Sequence, residues 1–96
     1  MTSTYTASKH AVHGFSDCLR KDFSGSGVRV TEICPGRVRT NFGYARAETE
    51  SEADAFYDSV GECLAPDDVA NAIVYALEQP AHVVVSQLML IPADQL

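Results

Sequence analysis

Between Tyr5 and Phe23 the apolar residues Ala7, Ala11, Val12, Phe15, Cys18, Leu19 and Phe23 recur at steps of three and four, which predicts an amphipathic helix over residues 2–25. Gly25-Ser26-Gly27 closes it. Val28 to Cys34 then alternates and is rich in β-branched residues, and Pro35-Gly36 stops the run, so residues 28–34 read as a strand. Residues 37–64 form a long acidic connection in which Glu48 to Tyr57 is a weak candidate for a short helix. A stronger helical pattern covers residues 66–79. Pro66 suits its first position, Asp67 and Asp68 complement the positive end of its dipole, and Val69, Ile73, Val74 and Leu77 make one apolar face. Leu64 and Val69 could staple its entry, whereas Ala65 stands where a hydroxyl cap is expected. Residues 83–91 read as a buried strand ended by Pro92.

The order helix, strand, loop, helix, strand predicts an α/β fold, because two strands joined through a helix pair in parallel by a right-handed crossover. Parallel strands need cover on both faces and more than one partner, so residues 1–96 look like part of a larger sheet. The chain's 96 residues are few for an independent domain. At 46% hydrophobic and 21% charged, the composition is that of a globular protein. No apolar run approaches the roughly 18 residues of a membrane span, and no leader pattern opens the chain.

The net charge of -6 is unevenly spread. All seven basic residues lie in the first 46 positions, which carry +4, and the remaining fifty carry -10. This pattern holds no basic patch interleaved with aromatics, which argues against nucleic-acid binding. Cys18, Cys34 and Cys63 are odd in number and lack metal spacing, as do His10, His13 and His82. A disulfide framework or metal site is therefore not expected, and a reducing, cytoplasmic setting is.

Tyr5 and Lys9 stand four residues apart on the first helix, so phenol and ammonium share one face. A phenol is a poor acid–base catalyst at neutral pH, and a cation held beside it favours the phenolate. The same spacing also suits an ordinary surface pair. The runs Tyr5-Thr6-Ala7-Ser8-Lys9, Ala11-Val12-His13-Gly14-Phe15 and Gly27-Val28-Arg29-Val30-Thr31, leading into Cys34-Pro35-Gly36, resemble the back part of classical short-chain dehydrogenase/reductases. Thr40, Pro66-Asp67-Asp68-Val69-Ala70 and the final strand extend the likeness over essentially the whole chain. Within that family, Pro80-Ala81-His82-Val83 and Leu90-Ile91-Pro92 with Gln95 are similar to the NADP-dependent 3-hydroxy acid (serine or allo-threonine) dehydrogenases.

The resemblance implies the C-terminal part of a Rossmann-like doubly wound sheet, without the dinucleotide-binding N-terminal half. It implies that Tyr5 is the general acid or base and that Lys9 holds the nicotinamide ribose and assists Tyr5. Pro35, Gly36, Val38 and Thr40 would line the nicotinamide of NADP or NAD, and Arg46 could meet a substrate carboxylate. A solvated loop arginine is the plainer reading of Arg46, as surface charge is of Arg37 and Arg39. The family's phosphate-binding glycine motif and catalytic serine have no counterpart here, and Gly25-Ser26-Gly27 leads into a strand rather than a helix. The expected function is thus part of an oxidoreductase acting on a small alcohol or carbonyl compound, inactive as this chain alone. The resemblance also implies a homo-oligomer or association with a full-length relative, and the alternative is a non-enzymatic module that acts by joining such a relative.

Overall fold

A computed structural model of the chain describes residues 2–95. Helix α1 spans Thr2–Asp22, with Arg20 and Lys21 in the last turn, where cations complement the negative end of the helix dipole. It stops earlier than the apolar spacing predicts, because residues 23–27 turn. Ser26 donates its amide to the Phe23 carbonyl at 3.0 Å, and Gly25 (φ 79) and Gly27 (φ 86) occupy the left-handed conformations that reverse the chain.

Strand β1 is Glu32–Pro35 and pairs in parallel with β2, Gln87–Leu90, with Glu32 opposite Gln87 and Pro35 opposite Leu90. Both strands are shorter than the runs 28–34 and 83–91 predict. Upstream of the ladder, the Arg29 guanidinium takes over the joining, donating to the carbonyls of Gln79 (2.9 Å), Pro80 (3.2 Å) and Val83 (3.2 Å). These carbonyls follow α4, Pro66–Leu77. Val83 meanwhile spends its amide on a turn to the Pro80 carbonyl, and the ladder begins only where the Ser86 carbonyl accepts from the Glu32 amide at 3.1 Å.

The acidic connection is more ordered than its composition predicts. Its two ends are clasped, since Leu64 donates to the Arg37 carbonyl at 2.7 Å and Arg39 donates to the Leu64 carbonyl at 2.9 Å. Between them lie α2, Asn41–Arg46, and α3, Glu50–Ser59. Each has a side-chain cap: Thr40 Oγ1 accepts from the Phe42 amide and Thr49 Oγ1 from the Glu52 amide. Helix α4 begins with Ala65 at its cap position and no hydroxyl to offer, yet Asp68 Oδ2 still accepts from the Ala65 amide at 2.7 Å. That is half of a capping box.

The buried residues are few. Ala53 and Tyr57 on α3, Ala76 on α4, Ser16 on α1 and Pro92 after β2 are buried among the described residues. Phe15, Leu77, Met89, Ile91 and other large apolar side chains are exposed. The radius of gyration is 16.1 Å, against about 12.5 Å for a compact domain of this length. The accessible surface of 7075 Å² likewise exceeds the ~5,400 Å² of a folded monomer of this mass. Among the described residues no helix is long and apolar enough to cross a membrane.

Candidate functional site at the end of strand β1

On α1 the Lys9 ammonium sits 5.3 Å from the centroid of the Tyr5 ring, within cation–π range. The four-residue step predicts this contact, and the helix delivers it without help from elsewhere. Tyr5 is 53% exposed.

The loop leaving β1 faces this pair. Tyr5, Lys9 and Val12 from α1, Glu32 to Gly36 from the strand and its exit, and Val38, Thr40 and Phe42 beyond it line one cavity of about 560 Å³. All six residues expected at the nicotinamide, Tyr5, Lys9, Pro35, Gly36, Val38 and Thr40, are on this list. The cavity lies at the carboxyl end of a parallel strand, where open α/β sheets bind ligands. Volume does not single it out, since hollows of about 490 Å³ beside Arg39 and Asp58 and about 570 Å³ beside Asp17 and Lys21 are comparable. The phenol–ammonium pair does.

Arg46 lies elsewhere. It lines a neighbouring cavity of about 350 Å³ with Gly43, Glu52, Ala53, Phe56 and Tyr57, and its guanidinium stacks 5.3 Å from the Phe42 ring. Phe42 borders both cavities, so the two hollows adjoin at its ring. Among the described residues the ion pairs engage His13, Arg20, Arg37 and Arg39 but not Arg46. Arg37 pairs with Asp94, and Arg39 pairs with Asp54 (2.9 Å) and Asp58 (3.4 Å). These two therefore serve the packing of the loop and the last segment.

Gly36 has a structural reason beyond any ligand. A β-carbon there would press on the Gln95 amide and on Ile91 Cγ2 at 3.1 Å, and Gln95 Oε1 accepts from the Arg37 amide at 2.9 Å. The last residues thus brace the loop that lines the cavity. Gln95 has no local sequence signal for that role.

Glu32 is a further member that the alternating pattern hides. Its carboxylate accepts from the Cys34 thiol at 3.1 Å, the Gln87 amide at 3.3 Å and the His13 ring at 2.9 Å, which ties α1 to the sheet. The thiol hydrogen bond foremost, with His13 and Gln87 assisting, holds Glu32 below the usual carboxylate range against the opposing effect of burial. Burial first, then the carboxylate of Glu32, pushes the Cys34 thiol up. A raised thiol is a poor nucleophile, so Cys34 is a packing and hydrogen-bonding residue.

A short chain dehydrogenase family model matches residues 1–51. The chain belongs to that family. It is 35% identical to human dehydrogenase/reductase SDR family member 11 over 99% of its own length and 37% of that protein. It is 39% identical to serine 3-dehydrogenase of Agrobacterium fabrum, covering 97% of this chain and 37% of the relative. Among solved structures, the closed form of serine dehydrogenase complexed with NADP+ superposes with a TM-score of 0.86 at 38% identity, over 95% of this chain and 37% of that one. The chain therefore spans little more than a third of the length of these short-chain dehydrogenase relatives. The family's Rossmann-like α/β fold accounts for the parallel pair and for the apolar surface that two strands alone leave uncovered.

Proposed function

We propose that this chain forms the catalytic and nicotinamide-facing part of an NAD(P)-dependent oxidoreductase that interconverts a hydroxyl and a carbonyl, with NADP favoured and a 3-hydroxy acid as the substrate class. The observation that carries the reading is the single cavity uniting Tyr5 and Lys9 with Pro35, Gly36, Val38 and Thr40. Likeness to serine dehydrogenases, one of them complexed with NADP+, supports the choice of substrate class and cofactor.

The residues fit a nicotinamide nucleotide. The cavity's wall is largely apolar along Val12, Ile33, Pro35 and Val38, as suits a flat ring, and Lys9 and Thr40 offer polar atoms at its margin. When bound, the cofactor supplies or accepts the hydride. The chain's own residues handle the proton and the orientation. In reduction the Tyr5 hydroxyl gives its proton to the carbonyl oxygen, and in oxidation the Tyr5 oxygen takes the alcohol proton. Lys9 stabilises the negative charge on the Tyr5 oxygen and holds the ribose. Arg46, free of a carboxylate partner among the described residues and lining a hollow that shares Phe42 with the Tyr5 cavity, suits a substrate carboxylate.

A second reading rests on a different observation, the uncovered apolar surface. Alone, the chain would act by joining a full-length relative rather than by catalysis, in a cytoplasmic setting. A fluorescence titration with NADPH separates the two. We expect no binding by the 96-residue chain and micromolar binding once it is assembled with the amino-terminal part of a short-chain dehydrogenase domain. Micromolar binding by the chain alone would contradict the incomplete-site reading, and no binding by the assembly would contradict the enzyme reading.

A further inference from the structure

The connection between β1 and α4 returns to the cavity through one buried side chain. Tyr57 on α3 is 6% exposed. Its hydroxyl donates to the Thr40 carbonyl at 3.1 Å and accepts from the Gly43 amide at 3.1 Å. The phenol therefore bridges both ends of the turn that starts α2. That turn carries Thr40 and Phe42, which line the cavity of Tyr5 and Lys9. The fit around the ring is close: a β-carbon on Gly43 would collide with it, Tyr44 lies at 5.8 Å and Phe56 at 5.5 Å between ring centroids, and the Arg39 guanidinium stacks 5.3 Å from its face.

We infer that Tyr57 is a positioning residue, whose hydroxyl sets the Thr40–Gly43 turn against the Tyr5–Lys9 cavity without itself lining that cavity. The inference rests on the reading of that cavity as the reaction site. Thr40 alone cannot hold its own place. Its hydroxyl is committed to the Phe42 amide as the cap of α2, a helix of six residues too short to be stable by itself. The helix is held from outside, by Tyr57 at its first turn and by the Tyr44 hydroxyl donating to Asp54 farther along. Of the attachments, the one adjacent to Thr40 is made by Tyr57, whose side chain is buried.

Tyr57→Phe removes the hydroxyl and keeps the ring, so packing survives. In the 96-residue chain, the Gly43 amide should exchange with solvent between about threefold and tenfold faster, the range one net hydrogen bond supports. In the oxidoreductase assembled from this chain and the amino-terminal part of the domain, KM for the cofactor should rise by a similar factor while kcat stays within about twofold. Unchanged Gly43 exchange overturns the bridge itself. Faster exchange with an unchanged KM overturns the positioning role and leaves a structural bond. An assembled parent without turnover defeats the reaction-site reading and the role in cofactor binding with it, while Gly43 exchange still decides whether the hydroxyl holds the turn.

Discussion

Tyr5 and Lys9 meet because a helix returns to the same face after four residues, and this local rule makes the pair legible before any fold is known. Glu32, Tyr57 and Gln95 are different, since each acts on a residue far away in the chain and no spacing announces it. Ala53 and Tyr57, four apart and both buried, do leave a faint helical trace. The Glu32 cluster makes a prediction about pH. Its folded-state pKa lies below the ordinary value, so its contacts stabilise the fold fully above that value and lose this contribution as pH falls through the lowered one. The thermal midpoint should accordingly drop on acidification below about pH 4.5, and Glu32→Gln should shrink that drop. An identical acid profile for the variant would rule out the role of this carboxylate. A second residue-scale prediction concerns Gly43, where alanine would press on the Tyr57 ring. Chemical denaturation should register a loss of about 1–3 kcal/mol, the usual cost of overpacking.

At the scale of elements, α4 is the one the sequence specifies best. Pro66, the two aspartates and a periodic apolar face all agree, and the helix runs Pro66–Leu77. Helix α2 is invisible to periodicity because its six residues hold fewer than two turns. Its signal is Thr40 acting as a cap, a signal masked when Thr40 is read only as a cofactor contact. The strands are shorter than their patterns because Arg29 and the Pro80 turn use the carbonyls and amides that a longer ladder would need. The missing cap hydroxyl of α4 is itself testable. Ala65→Ser should add about 0.5–1 kcal/mol to unfolding stability, together with slower exchange in the first turn, since Asp68 already supplies the reciprocal bond. A neutral or destabilising result would mean that the Ala65 carbonyl, which already accepts from the Asp68 amide at 3.0 Å, meets the demand a hydroxyl would serve.

For the whole molecule, the surface is the dominant fact. Roughly 1,700 Å² of accessible area beyond that of a folded monomer of this mass is about twice what one partner buries in a standard protein interface. A chain with so much uncovered apolar area should associate, and native mass spectrometry of the 96-residue chain should find it mostly in assemblies or with a co-expressed relative. A well-behaved monomer indifferent to that relative would contradict this. The charge asymmetry of the sequence takes on spatial sense here. The basic early part supplies Lys9 to the cavity, whereas much of the acidic later part is the α3 segment whose Asp54 and Asp58 neutralise Arg39.

All three scales meet in the claim that the cavity between α1 and the end of β1 handles the proton of an alcohol–carbonyl conversion. The most direct measurement is kcat of Tyr5→Phe in the assembled oxidoreductase, with cofactor affinity read alongside. The phenylalanine keeps the ring beside Lys9 and removes only the transferable proton, so kcat should fall by about 10²–10⁴, the range of general acid–base contributions, with cofactor affinity within about twofold of the parent. Undiminished turnover would contradict the account.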